Sequence, residues 1–193
     1  MLNVYALPRV LVSSIAMQHA RFELQGTLAV DLGKGALTDP GGAPGWLVPL
    51  DVLRKFVAAN EGAASVLAEL VGAQLGEKLV TRIALETDLF VEHLAGECAV
   101  RGYGNISLER WGDALIVRVT EAQLPSAFLA AFFSGVLMAA SQRDVRCVSL
   151  GEENRVSRYL VCAPSVASQV TSKLQAGESW QQAIVALSKR GSA

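Results

Sequence analysis

Two pairs of segments with alternating apolar and polar residues constrain the fold of this chain most strongly. The first pair covers 105–110 and 113–120, and the second covers 145–150 and 156–162. Alternation with a period of two places successive side chains on opposite faces of a strand. A short turn segment separates the members of each pair, so the pattern predicts two β-hairpins. About four antiparallel strands with one apolar face need helices to cover them, which predicts an α+β fold.

The remaining chain after residue 49 has apolar residues at helical spacing. The helices expected from this spacing, from N-terminus to C-terminus, cover 50–59, 63–83, 87–100, 125–141, 165–175 and 179–189. In the second of them we expect the large apolar residues, such as Val66, Leu70 and Leu75, to form one buried face. In the last helix, Trp180 is expected to dock against the body of the protein.

The first 49 residues have a different texture. Weak alternation between Phe22 and Val30 predicts one or two strands around Gly26, whereas the glycines and prolines of 33–49 predict a loop anchored by Trp46 and Leu47. No stretch resembles a linker, so one domain is expected over 1–193. It comprises strands and loop over 1–49, a core over 50–163 and a helical extension over 164–193.

The composition leaves three explanations open. Of the 193 residues, 51% are hydrophobic and 18% are charged, whereas about a quarter is typical for the charged fraction. An apolar ligand cavity, an oligomer interface or a membrane segment would each account for this. The longest uncharged stretch is 122–142, and Ser134 and Gly135 interrupt its apolar centre. A span needs about 20 predominantly apolar residues, so we interpret this stretch as a core helix.

The N-terminal residues, the cysteines and the net charge indicate the expected cellular location of the protein and the class of molecule that it binds. Residues 1–11 lack the features of a signal peptide. The cysteines Cys98, Cys147 and Cys162 are odd in number and widely spaced, which is typical of reduced cytoplasmic thiols. The net charge is −1 without a basic run, so nucleic-acid binding is not expected.

The residues offer little for catalysis. The only histidines are His19 and His93. His19 has no candidate partner nearby in sequence, and His93, five residues before Cys98, fits neither a metal-pair spacing nor a nucleophile signature. The cysteines do not follow zinc-ligand spacing, and the pair Glu152 and Glu153 lies in an expected turn. We therefore expect neither an enzyme nor a metal site, and no cofactor.

Gly72 and Gly76 lie four residues apart and so share one face of a helix. Glycine in a helix interior costs about 1 kcal/mol relative to alanine, so a close backbone contact is expected to compensate. That contact is either a helix crossing within the chain, a dimer interface or the wall of a ligand cavity. The spacing alone does not choose between them.

The order of these motifs resembles the V4R (4-vinyl reductase) domain and the related TRAPP vesicle-tethering subunits. The run LVGAQLG at 70–76 resembles the glycine-bearing helix of that family. The runs GYGNISL at 102–108 and GDALIVRV at 112–119 are similar to its central hairpin. The run FFSGVL at 132–137 resembles its apolar helix, and 145–161 its closing hairpin.

The resemblance covers about 50–161 and implies an α+β fold, homodimerisation and binding without catalysis. Known members are sensor domains for small aromatic effectors in bacterial regulators, accessory factors in tetrapyrrole synthesis, or tethering scaffolds. Sensor-type members hold zinc with a cysteine and an acidic residue around the closing hairpin. Here Ser149 and Ser157 stand where cysteines are expected, with Arg146 near the acidic position. Serine is a poor zinc ligand and arginine is none.

Two functions follow as expectations. The first is a non-enzymatic regulatory or adaptor protein that acts through homodimerisation and protein–protein contacts. Its candidate interface residues are Gly72, Gly76 and Gly135. The alternative is a sensor domain that binds a small hydrophobic, aromatic or tetrapyrrole ligand in an apolar pocket. The candidate lining residues for that pocket are Tyr103, Trp111, Phe128, Phe132 and Phe133.

Overall fold

The computed structural model describes residues 29–31, 36–38, 44–45, 49–82, 87–112 and 114–188. Three short strands come first, β1 (Ala29–Asp31), β2 (Ala36–Thr38) and β3 (Pro44–Gly45), paired antiparallel in that order. The expected loop over 33–49 therefore contains paired backbone at β2 and β3. The three residues of β2 lie between Gly35 and Pro40, whereas β3 consists of Pro44 and Gly45 themselves. Trp46, Leu47 and the segment around Gly26 lie outside the described residues.

The helices end within two residues of their expected bounds. Within the described ranges they are α1 (Leu50–Ala59), α2 (Glu61–Arg82), α3 (Thr87–Val100), α4 (Ser126–Ser141), α5 (Pro164–Gln175) and α6 (Trp180–Ser188). Gly177 ends α5 as expected: its φ of 85° is the left-handed conformation that suits a glycine after a helix. Its N–H donates to the carbonyl oxygen of Leu174.

The four remaining strands confirm the α+β class. They are β4 (Asn105–Trp111), β5 (Ala114–Thr120), β6 (Arg146–Glu153) and β7 (Val156–Cys162), all antiparallel in the order β4-β5-β7-β6. The two expected hairpins are present and join into one sheet through β5 and β7.

The turn of the second hairpin lies further along the chain than expected. The sequence placed it at 151–154, but Asn154 and Arg155 form a two-residue turn with φ angles of 54° and 61°. Positive φ at both positions matches the twist of the flanking strands. Gly151 instead lies inside β6, where the register with β7 shifts, and its φ of 103° suits such a bulge.

The sheet has two covered faces, which we call the inner and the outer face. On the inner face Val117, Val119 and Tyr159 belong to the same core cluster as residues of α2, α3 and α4. On the outer face Ile116 and Leu160 form a second cluster with residues of α5 and α6. Successive strand residues alternate between the two clusters, as the period of two requires.

A close crossing of α2 and α4 forms the helical layer over the inner face. A Cβ built at Gly72 would overlap the carbonyl oxygen of Phe132, one at Gly76 would overlap that of Val136, and one at Gly135 would overlap that of Glu69. The backbones therefore meet without side chains between them. Of the explanations left open for Gly72 and Gly76, the crossing within the chain is present.

The expected buried face of α2 was wrong in part. Ala64, Ala68 and Leu75 are buried, but Val66 and Leu70 are 62% and 58% exposed. The reason is steric, since a close helix crossing accepts small residues at the contact and leaves large ones on the opposite side.

Ser134 interrupts the apolar helix α4 for a structural reason. Its hydroxyl donates to the carbonyl oxygen of Ala130 at 2.8 Å and accepts from the N–H of Cys147 at 2.8 Å. The second bond ties α4 to the edge strand β6. Among the helices that the structure describes, none combines the length and the apolar character needed to cross a membrane.

Candidate ligand-binding site

Five aromatic side chains form a continuous line between the helical layer and the inner face of the sheet. We call this line the aromatic row, and its members are Tyr103, Phe128, Phe132, Phe133 and Tyr159. Successive rings lie in contact, with centroids 5.1 Å apart for Tyr103 and Phe132, 5.5 Å for Phe132 and Phe133, and 5.4 Å for Phe133 and Tyr159. Phe128 lies 6.1 Å from Tyr103. Most pairs are edge-on, which suits the quadrupoles of the rings.

The backbone fixes each member of the row. Tyr103 lies between Gly102 and Gly104, whose φ angles of 71° and 112° turn the chain from α3 into β4. Phe128 and Phe132 are four residues apart on α4, so they lie on one side of that helix. Tyr159 points inward from β7 because its neighbours in the sheet are Val117 and Ser149 of the inner face.

The Tyr159 hydroxyl is the one polar feature of the row that packing does not explain. The residue is 0% exposed, and its hydroxyl has no hydrogen-bond partner within the described part of the chain. A buried polar group without a partner costs about 1–3 kcal/mol. Such a group in a folded protein calls for an explanation, such as strain, a catalytic role or a bound water or ion.

The protonation state of Tyr159 defines what it offers. Burial raises the pKa of its hydroxyl from 10.0 to about 12, so at neutral pH the group is a hydrogen-bond donor. The buried Ser157 side chain lies near enough to lower this pKa as a hydrogen-bonding neighbour, but the geometry between the two hydroxyls is not that of a hydrogen bond, so we regard the Tyr159 hydroxyl as unpaired. Glu152 acts in the raising direction. Because the row is buried and apolar, an anion there would lose its hydration without compensation, so the surroundings favour a neutral guest.

A buried ion pair lies near the opposite end of the row. Glu97 is 9% exposed and pairs with Arg101, which directly follows the end of α3. Arg101 lowers the pKa of Tyr103, but burial raises it and prevails. Tyr103 is thus also protonated at neutral pH. The row has a phenolic donor near each end and apolar rings between.

Four of the five predicted lining residues are brought together by the fold. Trp111 is the exception: it lies at the end of β4 on the outer face, 44% exposed, with its ring 4.7 Å from that of Trp180. Tyr159 was missed. The sequence predicted a strand over 156–162, but it does not say which face of that strand meets the aromatic residues of α4.

The candidate interface residues all face their own chain. Gly72, Gly76 and Gly135 lie in the crossing of α2 and α4, so a second copy would contact the opposite side of α2. Their assignment to an interface between copies is not tested by a single chain.

The positions that resemble zinc-ligand positions have other roles here. Ser157 is buried on the inner face, and Arg146 pairs with Glu69 at 3.0 Å and with Asp144 at 3.8 Å. Across the ranges that the structure describes, no three His, Cys, Asp or Glu residues lie close enough together to hold a metal ion. His19 is outside those ranges.

Comparisons with known proteins give a likeness of fold. No protein-family model matches the chain, and no curated protein matches it. Among solved structures, the chain is similar to the phenol-responsive sensory domain of the transcription activator PoxR, crystallised with phenol. The TM-score is 0.54 at 12% identity, over 82% of this chain and 90% of that one. At this identity the likeness shows a shared fold alone, and membership of the V4R and TRAPP group stays a prediction.

Proposed function

We propose that this chain is a regulatory sensory domain that binds a small, neutral aromatic molecule in the layer between α4 and the sheet, without catalysis. The ligand's polar group accepts a hydrogen bond from Tyr159, and its ring packs against Phe133. This is the alternative function expected from the sequence, and it has more support than an adaptor role.

The unpartnered Tyr159 hydroxyl carries the proposal. A ligand with one hydrogen-bond acceptor pairs with that donor and so removes the cost of leaving it unpaired. The ring of the ligand packs against aromatic side chains without burying a further polar group. Pockets for small molecules have this composition, mostly apolar with a few placed polar groups. The fold shared with a phenol-responsive sensory domain supports the same class of ligand.

The experiment uses phenol and benzoate as matched probes in isothermal titration calorimetry on the full chain. Phenol is neutral at pH 7 and is expected to bind. At about 1 kcal/mol per non-hydrogen atom its Kd falls in the micromolar range. Benzoate is similar in size but anionic, and burial of its charge among apolar rings is costly, so no binding is expected. Equal binding of both probes, or of neither, contradicts the proposal.

Two tyrosine variants locate the site. Tyr159→Phe removes the donor and keeps the ring, so phenol affinity should fall about tenfold, the value of one hydrogen bond. Tyr103→Phe is the matched control, since it removes a buried phenolic hydroxyl near the other end of the row. Unchanged affinity in Tyr159→Phe would place phenol elsewhere.

Homodimerisation is a second proposal, supported by a different observation. We define the apolar patch as Val52, Phe56, Val66, Leu67 and Leu70, on the exposed sides of α1 and α2. Each of these residues is at least 42% exposed. Contiguous exposed apolar residues mark interaction sites. A second copy suits this patch, because the same segment carries the exposed, oppositely charged Lys55 and Glu61, which a two-fold interface can pair across the two copies.

Sedimentation velocity tests the dimer. The wild-type chain should sediment as a dimer at micromolar concentration, and Leu70→Glu should be monomeric because it places a charge inside the patch. Gln74→Glu, one turn further on the exposed side of α2, serves as the control for added charge. A wild-type monomer would end this second proposal and leave the first intact.

A further inference from the structure

A cluster on the outer face of the sheet, with members on β4 and β7, fastens the last described helix to the sheet. We define the α6 latch as Trp111, Trp180, Arg158 and Glu109. The Trp111 and Trp180 rings meet edge-on with centroids 4.7 Å apart, and the Arg158 guanidinium carbon lies 5.3 Å from the centre of the Trp180 ring. Glu109 holds Arg158 at 3.2 Å and Arg118 at 3.3 Å. Trp180, the first residue of α6, is therefore held by both an aromatic ring and a cation.

Helix α6 depends on this docking for its structure. It has nine residues, and isolated helices shorter than about 12–15 residues are marginal in water. Over 180–186, the part of α6 whose burial is described, Ala183 and Ile184 are buried, and Ile184 joins Leu160 and Val170 in the outer cluster. Undocking of α6 thus amounts to unfolding of α6, which makes it a two-state element.

The start of α6 is prepared for the docked state. The N–H of Gln182 donates to the Ser179 hydroxyl at 3.3 Å, and the N–H of Ser179 donates to the Gln182 side-chain oxygen at 3.0 Å. This reciprocal pair is a capping box. It fixes the entry of the chain into α6 and so the position of Trp180 over Arg158.

Strand β7 connects the latch to the candidate ligand site. Tyr159 points inward to the aromatic row, while Arg158 and Leu160, its two chain neighbours, belong to the outer face and contact the latch and the outer cluster. A ligand that orders Tyr159 also restrains the backbone that carries Arg158 and Leu160. Binding that rigidifies one element lowers the entropic cost of a second contact on it.

We infer that occupation of the inner site stabilises the docked state of α6, so that this helix reports the bound ligand. The inference rests on the proposed function, because it uses the same ligand at the same site. The coupling is reciprocal. If the ligand favours docking of α6 by a given factor, loss of docking weakens ligand binding by the same factor.

Hydrogen–deuterium exchange with phenol as the probe tests the coupling. Saturating phenol should slow amide exchange in peptides from 180–188 by about fivefold. Trp180→Ala, in which the latch is lost, should bind phenol about fivefold more weakly than the wild type, although no latch residue contacts the inner site. Gln181→Ala, on the exposed side of α6, is the matched control and should leave both values unchanged.

The possible failures are distinguishable. If phenol does not bind the wild-type chain, the proposed function fails and the coupling fails with it. If phenol binds with the expected dependence on Tyr159 but exchange in α6 is unchanged and Trp180→Ala binds normally, the coupling alone is wrong. Faster exchange in α6 on binding also overturns it, because the ligand then favours release.

Discussion

The two faces of the four-stranded sheet are covered in different ways. On the inner face, α2 and α4 cross with their backbones in contact, and buried aromatic rings fill the layer beneath them. On the outer face, α5 and the nine-residue α6 cover a smaller cluster. The partly exposed α6 latch holds Trp180, the first residue of α6, against the sheet. The difference predicts that the inner side resists opening more than the outer side does.

The largest effect is expected where the inner layer is tightest. In Gly72→Ala the new methyl group collides with the backbone at Phe132, which cannot rotate away as a side chain can. We expect a loss of about 3 kcal/mol or more in the free energy of unfolding, measured by urea denaturation. Gly62→Ala in the same helix is the control, because no atom lies within 4 Å of its new Cβ. It should gain up to about 1 kcal/mol. Equal effects at the two positions would contradict a close crossing.

On the outer face, Trp180→Ala should cost less, about 2 kcal/mol, because Trp180 is only partly buried. Loss of protection from hydrogen exchange should be confined to α6 and the neighbouring end of α5. Loss of protection that spreads across the inner layer would show that the two faces are not separate in stability.

Tyr159→Phe is expected to act in the opposite direction. Removal of an unpaired buried hydroxyl should raise the free energy of unfolding of the unliganded chain by about 1 kcal/mol. The pKa of Tyr159 rises from 10.0 to about 12 on folding. The unfolded chain therefore loses this proton first, and wild-type stability falls between these pH values. The variant does not lose stability in this way, so the difference in free energy of unfolding between variant and wild type should grow above pH 10. Urea titrations at successive pH values measure this difference. Destabilisation at pH 7 would mean that the hydroxyl has a partner.

The smallest effect is expected at Glu109, whose carboxylate pairs with two arginines on the outer face. Glu109→Gln leaves Arg118 and Arg158 opposite each other on neighbouring strands. The charge repulsion should cost about 0.5–1 kcal/mol, and added salt should reduce it. Thermal unfolding at low and high ionic strength measures this. A cost that does not respond to salt would assign Glu109 a role other than holding the two guanidinium groups.

The sequence predicted the parts of the fold that local pattern controls. Alternation identified the four strands and helical spacing identified α1 to α6, because each signal lies within one element. The sequence pattern did not predict that the large residues Val66 and Leu70 of α2 face outward. Small residues lie at the contact because α4 crosses α2 closely, and that crossing is not visible in the sequence of α2 alone. The sequence pattern also missed the turn at Asn154 and Arg155, where non-glycine residues adopt positive φ.

The candidate site divides in the same way. Phe128, Phe132 and Phe133 could be predicted because they share one helix, and Tyr103 because it follows a glycine turn. The places of Tyr159 on the inner face and of Trp111 on the outer face could not be predicted, because they depend on which face of β7 and of β4 each helix covers. The lack of a partner for the Tyr159 hydroxyl depends on three-dimensional packing and has no local signal.

The most direct test of ligand binding at the inner face is a crystal structure of the chain grown with phenol. The account predicts phenol between α4 and β7, its ring against Phe133 and its oxygen within hydrogen-bond distance of the Tyr159 hydroxyl. A structure with a water molecule bonded to that hydroxyl, and with phenol absent or bound only at the surface, would contradict it.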